Sequence, residues 1–219
     1  MLFRSVDFVV GSAVLMSYRT AWYALVERAG LQAGETILVT GAAGGVGLAC
    51  VDLARQLGAR VIGAVGSAAK APLVRRLGAE HIVDYAREDV RERVKSITKG
   101  EGIDVCVDNV GGQLFDTLAR LMRWNGRLMP IGFTGGEIPS LAMNLPLLKN
   151  YSVVGVFVGA WAERHPEDAQ RASETLMAWI ADGRLRPYID RVLPLERAAE
   201  AINAIADRSA QGRIVLRVR

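Results

Sequence analysis

The chain has 219 residues, 51% of them hydrophobic and 23% charged, a balance that supports one sizeable core and excludes a disordered polymer. Its net charge of +4 comes from lysines and arginines spread along the chain, without the basic and aromatic interleaving of a nucleic-acid surface, so no nucleic-acid partner is expected. The two cysteines, Cys50 and Cys106, have no CxxC spacing and no framework of pairs, as suits small core residues of a reduced, cytoplasmic protein.

Near the start, Val9 to Met16 imitates the apolar core of a secretory leader, but Asp7 interrupts its approach and no cleavage site comes after it. The stretch from Ala13 to Ala29 reads as a helix, with Leu15, Trp22, Leu25 and Val26 among its apolar residues. From Thr36 onward, short β-branched runs alternate with amphipathic stretches, the pattern of βαβ crossovers feeding a parallel sheet. The runs TILVT, RVIGAV, HIVDY, DVCVD, GRLMPIG and SVVGVFV begin at Thr36, Arg60, His81, Asp104, Gly126 and Ser152. Between the first two, Val46, Cys50, Leu53, Ala54 and Leu57 repeat at helical spacing on one face, and Gly58 is placed to stop that helix. Right-handed crossovers then give a doubly wound α/β sheet, helices on both faces, most simply in the order 3-2-1-4-5-6.

The apolar stretch Tyr151 to Ala162 is too short to span a bilayer and reads as a buried strand, so no membrane partner is expected. After it come a helix over Glu167 to Ala181, a strand near Tyr188 to Val192, a helix over Glu196 to Ala206 and a closing strand over Arg213 to Val218. The expected division is a remnant and lead-in helix over 1–35, a dinucleotide domain over 36–182 and a return segment over 183–219.

The chemistry is concentrated in GAAGGVG, Gly41 to Gly47, which lies between the first strand and its helix. Missing side chains there permit a tight turn and let backbone N–H groups approach a pyrophosphate, and the helix adds the positive end of its dipole. At the end of the second strand, where an acid would hold the ribose diol of NAD, stand Gly66 and Ser67. Lys70 lies just beyond, so a hydroxyl, helix amides and an ammonium can converge on a 2′-phosphate, and the expected cofactor is NADPH. TGAAGGVG, from Thr40, also satisfies the TGxxxGxG pattern of short-chain dehydrogenases. Their catalytic YxxxK is missing, since none of Tyr18, Tyr23, Tyr85, Tyr151 or Tyr188 has a lysine four residues on.

The stretch ETILVTGAAGGVGLACVDLARQLGARVIGAVGS, with LGAEHIVDY, SYRTAWYAL, DVCVDNVGG, NGRLMPIGF and GRIVL, closely resembles the cofactor domain of zinc-independent quinone oxidoreductases in the medium-chain dehydrogenase/reductase superfamily. The resemblance runs from about Ser12 to the C-terminus, with Gly41, Gly44 and Gly47 meeting the family's GxxGxxG. It implies that Gly44, Gly45 and Val46 cradle the pyrophosphate. Ser67, Lys70 and Tyr85 would surround the 2′-phosphate, with Arg213 a weaker candidate for the same end. Thr20, Asn109, Val110, Gly132, Phe157 and Val158 would border the nicotinamide. From the residues alone, Val110, Phe157 and Val158 could instead be plain core, and Asn109 could simply close a turn.

The implied activity is hydride transfer from NADPH to quinones or other α,β-unsaturated carbonyls, which needs placement of the ring and no catalytic dyad. None is found: His81 and His165 stand alone, without ligand spacing to a cysteine, and no metal is expected. Enoyl-thioester reductases share the cofactor domain, and a non-catalytic NADPH-binding module is the other alternative. Full-length relatives begin with a GroES-like substrate domain that nothing before Ser12 could form, and the opening MLFRS is what a sequencing-adapter end encodes. The expectation is therefore a truncated reading frame whose Val192, Leu193, Ile214 and Leu216 present apolar edges, with a natural stand-alone domain as the alternative. The resemblance also implies a homodimer joined through the sixth strand, with Val153 to Phe157 at a two-fold axis; the same apolar pattern permits a strand buried within its own subunit under the Glu167 to Ala181 helix.

Overall fold

The computed structural model describes residues 6–218. The opening MLFRS lies outside the described residues, as does Arg219. Six parallel strands form one sheet in the order β3-β2-β1-β4-β5-β6, the doubly wound order expected from the alternating runs. They are β1 (Thr36–Val39), β2 (Arg60–Val65), β3 (His81–Asp84), β4 (Ile103–Asp108), β5 (Met122–Pro130) and β6 (Ser152–Val153).

Strand periodicity divides the core into two layers. Ile37, Val39, Val61, Val105, Val107 and Met129 face one side, against α1 (Phe8–Trp22), α2 (Gly45–Gln56), α3 (Ala71–Arg76) and α8 (Pro166–Ala181). Leu38, Ile62, Val83, Cys106 and Leu128 face the other, against α4 (Val90–Thr98) and α5 (Gly112–Leu121). Both central strands are buried on both faces, which is why their middles, Ile37 to Val39 and Val105 to Val107, carry no charged residue. Cys50 and Cys106 are free and fully buried, and burial pushes the Cys50 thiol up to about 12. The α2 helix stops as expected: Leu57 caps it and Gly58 takes φ +82°, a left-handed conformation suited to glycine.

Several boundaries differ from the sequence reading. The opening helix starts at Phe8, where the Asp7 carboxylate accepts from the Val9 N–H at 2.8 Å, and passes into a π-helical turn over Tyr23–Arg28. Strand β5 starts at Met122, ahead of Gly126, with a register irregularity opposite Ile103–Val105. The largest correction concerns the sixth strand, which ends at Val153 and does not run through SVVGVFVG. Leu128 pairs with Val153 and its carbonyl accepts from the Val154 N–H at 2.9 Å. The next ladder bond would need an N–H from residue 130, which is proline, so pairing stops. Val154 and Val156 then turn into the core, Phe157 is 74% exposed, and α7 (Val158–Arg164) begins.

Beyond α8, β7 (Ile189–Pro194) and β8 (Arg213–Arg217) form a separate two-stranded parallel sheet, with α9 (Ala198–Ala206) between them in sequence and α6 (Asn144–Lys149) lying earlier, before β6. Of the four residues expected at apolar edges, only Val192 is exposed; Leu193 is buried, and Ile214 and Leu216 are half-buried. A buried carboxylate ties this segment to the core: Asp52 of α2 accepts from the Tyr18 hydroxyl at 2.8 Å and from the Arg186 N–H at 2.6 Å. No described helix is long and apolar enough to cross a membrane.

Candidate functional site

The glycine loop opens at the C-terminal end of β1. Gly41 adopts φ +56°, and its carbonyl accepts from the Gly44 N–H at 2.9 Å, closing a tight turn. A Cβ on Gly47 would stand 2.2 Å from the Gly41 oxygen, so only glycine lets the helix pack this closely on the loop. The first bond of α2 runs from the Leu48 N–H to the Gly44 carbonyl at 2.9 Å, which leaves the Gly45, Val46 and Gly47 amides at the helix's positive end. Gly44 is exposed and carries no capping side chain, so no side chain of the cap residue competes for these amides.

The neighbouring strand end is held by a residue that sequence reasoning passed over. Asp108, fully buried at the end of β4, accepts from the Thr40 hydroxyl at 2.7 Å, the Val110 N–H at 3.0 Å and the Gly111 N–H at 3.1 Å. Thr40 in turn accepts from the Asn109 N–H at 2.9 Å, and its carbonyl accepts from the Asn109 side-chain amide at 2.8 Å. The loop after β5 lies on the same edge, with Gly132 N–H donating to the Asp108 carbonyl at 3.3 Å and Gly135 N–H to the Val110 carbonyl at 2.8 Å. The structure thus brings Gly44, Gly45, Val46, Asn109, Val110 and Gly132 together along the strand ends. The signal for Asp108 was an acid closing a fully buried strand just before Asn109.

At the ends of β2 and β3 lies a second corner. Ser67 accepts from the Ala69 N–H at 3.4 Å, and a Cβ on Gly66 would meet the Tyr85 hydroxyl at 3.0 Å, so the glycine admits the phenol. Burial pushes the Tyr85 phenol up, opposed by the nearby Arg208 guanidinium. Lys70 donates to the Arg208 carbonyl at 2.6 Å, and the Arg208 guanidinium donates to the Thr134 carbonyl at 3.1 Å. Arg208 was not foreseen: it sits at φ +60° in the turn after α9, far from this corner in sequence.

Arg213, expected at the same end as Lys70 and Tyr85, does not lie at this corner. Arg213 lies instead against the glycine loop: its Nε–H donates to the Ser17 hydroxyl at 2.6 Å, and a Cβ on Gly45 would come within 2.6 Å of that nitrogen. Burial lowers its guanidinium from the ordinary arginine range, and no ion pair among the described residues includes it. The Gly212 N–H beside it donates to the Ala43 carbonyl at 2.7 Å, which fastens the return segment to the loop.

The residues expected around a nicotinamide are less unified. Thr20 is buried within α1 and donates to the Met16 carbonyl at 2.7 Å. Phe157 is exposed, and Val158 opens α7 beside Trp161 instead of succeeding a strand. Among the described residues no group of three or more His, Cys, Asp or Glu side chains could hold a metal ion.

Residues 45–178 match the family model described as zinc-binding dehydrogenase. The chain is similar to the quinone oxidoreductase-like protein 2 homolog of Nematostella vectensis, 38% identical over 214 residues, 97% of this chain and 58% of that protein. It therefore spans little more than half the length of that relative. Among solved structures it resembles the Escherichia coli quinone oxidoreductase complexed with NADPH, with a TM-score of 0.87 and 28% identity over 96% of this chain and 65% of that one. A mycobacterial protein complexed with NADPH gives a TM-score of 0.90 and 28% identity, with the same coverage of 96% and 65%.

Proposed function

This chain belongs to the zinc-binding dehydrogenase family, as a dinucleotide domain of the medium-chain dehydrogenase/reductase superfamily, and on that premise we propose that it binds NADPH for a zinc-independent oxidoreductase. The observation that carries the reading is the corner at the ends of β2 and β3. No carboxylate occupies the Gly66–Ser67 turn, and Lys70 and Arg208 meet there beside Tyr85. A 2′-phosphate is the anion that such a corner would discriminate for, because NAD presents a neutral diol in the same place.

The residues fit the dinucleotide at its other phosphates too. The Gly45 and Val46 amides would donate to the pyrophosphate, and Arg213, half-buried against Gly45 and held by Ser17, would neutralise it. Asp108 holds the Asn109–Gly111 backbone as one wall, and Gly132, Phe157 and Val158 would border the nicotinamide on the other. Bound in this way, the cofactor supplies a hydride; the chain's own part is to orient the ring and exclude water. Quinones and other α,β-unsaturated carbonyls are the acceptors we propose, by analogy with the quinone oxidoreductase-like relative.

We also propose a homodimer through the β6 edge. Because the Val154 N–H is used within the sheet, the Val153 N–H and carbonyl face outward, where a second copy could pair about a two-fold axis.

The test is a fluorescence titration of the chain with NADPH and with NADH, and then with a panel of quinones. NADPH should bind more tightly, and Lys70→Ala should weaken NADPH by on the order of 1–3 kcal/mol while leaving NADH unchanged. Equal affinity for both cofactors would sink the assignment. Binding without oxidation by any quinone would favour a module without turnover.

A further inference from the structure

The opening helix does not stay α-helical to its end. From Tyr23 to Arg28 it widens into a π-helical turn, closed by the Ala29 N–H donating to the Ala24 carbonyl at 2.8 Å. Such turns are rare; each inserts one residue into the helical register, and they recur where the shifted side chains have a use. One inserted residue rotates the later side chains by about 100° around the axis relative to an uninterrupted helix.

Two side chains of this turn reach the segment after β6. Tyr23 stacks on Trp161 of α7, with ring centroids 4.7 Å apart and planes 17° from parallel, and Trp161 is buried. Arg28 donates through Nε to the Gly155 carbonyl at 3.1 Å. A reciprocal tie runs from the sheet: Arg127 of β5 donates through Nε to the Ala29 carbonyl at 3.0 Å and grips Glu35 with both remaining nitrogens, at 2.7 and 2.8 Å. The end of the helix is therefore anchored to β5 and can itself anchor residues 154–161.

That segment needs an anchor. Pro130 ends the ladder at Val154, residues 154–157 are neither strand nor helix, and nothing stands within 4 Å of where a Gly155 Cβ would be. We infer that Tyr23 and Arg28 are positioning residues for the nicotinamide end of the site: the stack on Trp161 and the bond to Gly155 fix residues 155–161. They thereby set where Phe157 and Val158 stand against the ring. The inference rests on the proposal that those two residues border the nicotinamide. Neither Tyr23 nor Arg28 touches the cofactor; both act through the segment they hold.

The test uses the whole chain and reads the ring itself. Time-resolved fluorescence of bound NADPH reports how firmly the nicotinamide is held, and a parallel titration reports affinity, dominated by the phosphates. Tyr23→Ala and Arg28→Ala are expected to reduce the long-lifetime fraction by about half while Kd stays within about threefold. Tyr23→Phe, which keeps the stack, and Arg28→Lys, which keeps a donor, should retain the lifetimes of the unmodified chain. A thermal melt checks that each variant is folded, and Tyr23→Leu replaces an alanine variant that is not. If both alanine variants bind NADPH with unchanged lifetimes, or if Tyr23→Phe loses as much as Tyr23→Ala, the positioning role is overturned and the proposed function stands. If the unmodified chain binds no NADPH, that function falls and takes the inference with it.

Discussion

Asp108 offers the sharpest check on how the site is built, because one buried carboxylate satisfies three donors from two strand ends. The Thr40 hydroxyl lies 2.7 Å from Oδ1 and the Val110 N–H 3.0 Å from it, while the Gly111 N–H lies 3.1 Å from Oδ2. Asp108→Ala strips all three at once. A buried donor left unsatisfied costs about 1–3 kcal/mol, and the half-buried Val110 amide can recover part of that from water, so the expected loss is about 3–5 kcal/mol. Asp108→Asn keeps the oxygen facing Thr40 and Val110 but turns an amide NH2 toward the Gly111 N–H, a donor facing a donor, for about 1–2 kcal/mol. Urea unfolding of the three proteins measures both numbers, provided the m values agree. The NADPH affinity should fall in the same order, since the Asn109–Gly111 backbone forms a wall of the proposed site. An alanine variant within about 1 kcal/mol of the native chain, or an asparagine variant as damaging as alanine, would refute the reasoning.

Single contacts elsewhere set further expectations. Gly47→Ala should weaken NADPH binding by about tenfold or more, because its Cβ would stand 2.2 Å from the Gly41 oxygen and 2.8 Å from the Ala42 Cα, and backbone cannot swing aside. Gly45→Ala should be milder, since its Cβ meets the Arg213 side chain; the reverse order in a binding titration would count against this packing. The Arg127 hydrogen bonds hold the Glu35 carboxyl below the usual glutamate range, so its stabilisation is present at neutral pH and is lost as pH falls through the lowered value. Glu35→Gln should then cost roughly 0.5–1 kcal/mol at pH 7, with the gap closing in acid; a gap independent of pH would overturn this. Val153→Pro removes the outward N–H of β6 and should convert the proposed dimer to monomer in sedimentation, whereas an unchanged dimer would move the interface elsewhere.

Local chemistry made much of this protein readable in advance. Parallel strands buried on both faces favour short β-branched and apolar runs, so TILVT, RVIGAV and DVCVD announced themselves, and right-handed crossovers left one simple strand order. The glycine loop was equally legible, because the left-handed φ of Gly41 favours glycine and only glycine fits the space at Gly47. The end of β2 was legible through its lack of an acid at Gly66–Ser67.

The sequence by itself determined every feature set by a residue's own backbone preference or by the repeat of burial along one element. The tertiary structure alone decided which distant residues share a corner. Arg208 reaches Lys70 across 138 positions of sequence, and Arg213 reaches Ser17 across 196, separations that carry no spacing signal. It also decided where the sixth strand ends. SVVGVFVG suits a strand or a core turn equally, and the choice fell to Pro130 on the neighbouring strand, which has no N–H to continue the ladder. A hydrogen bond needs two partners, and periodicity along one segment describes only one of them.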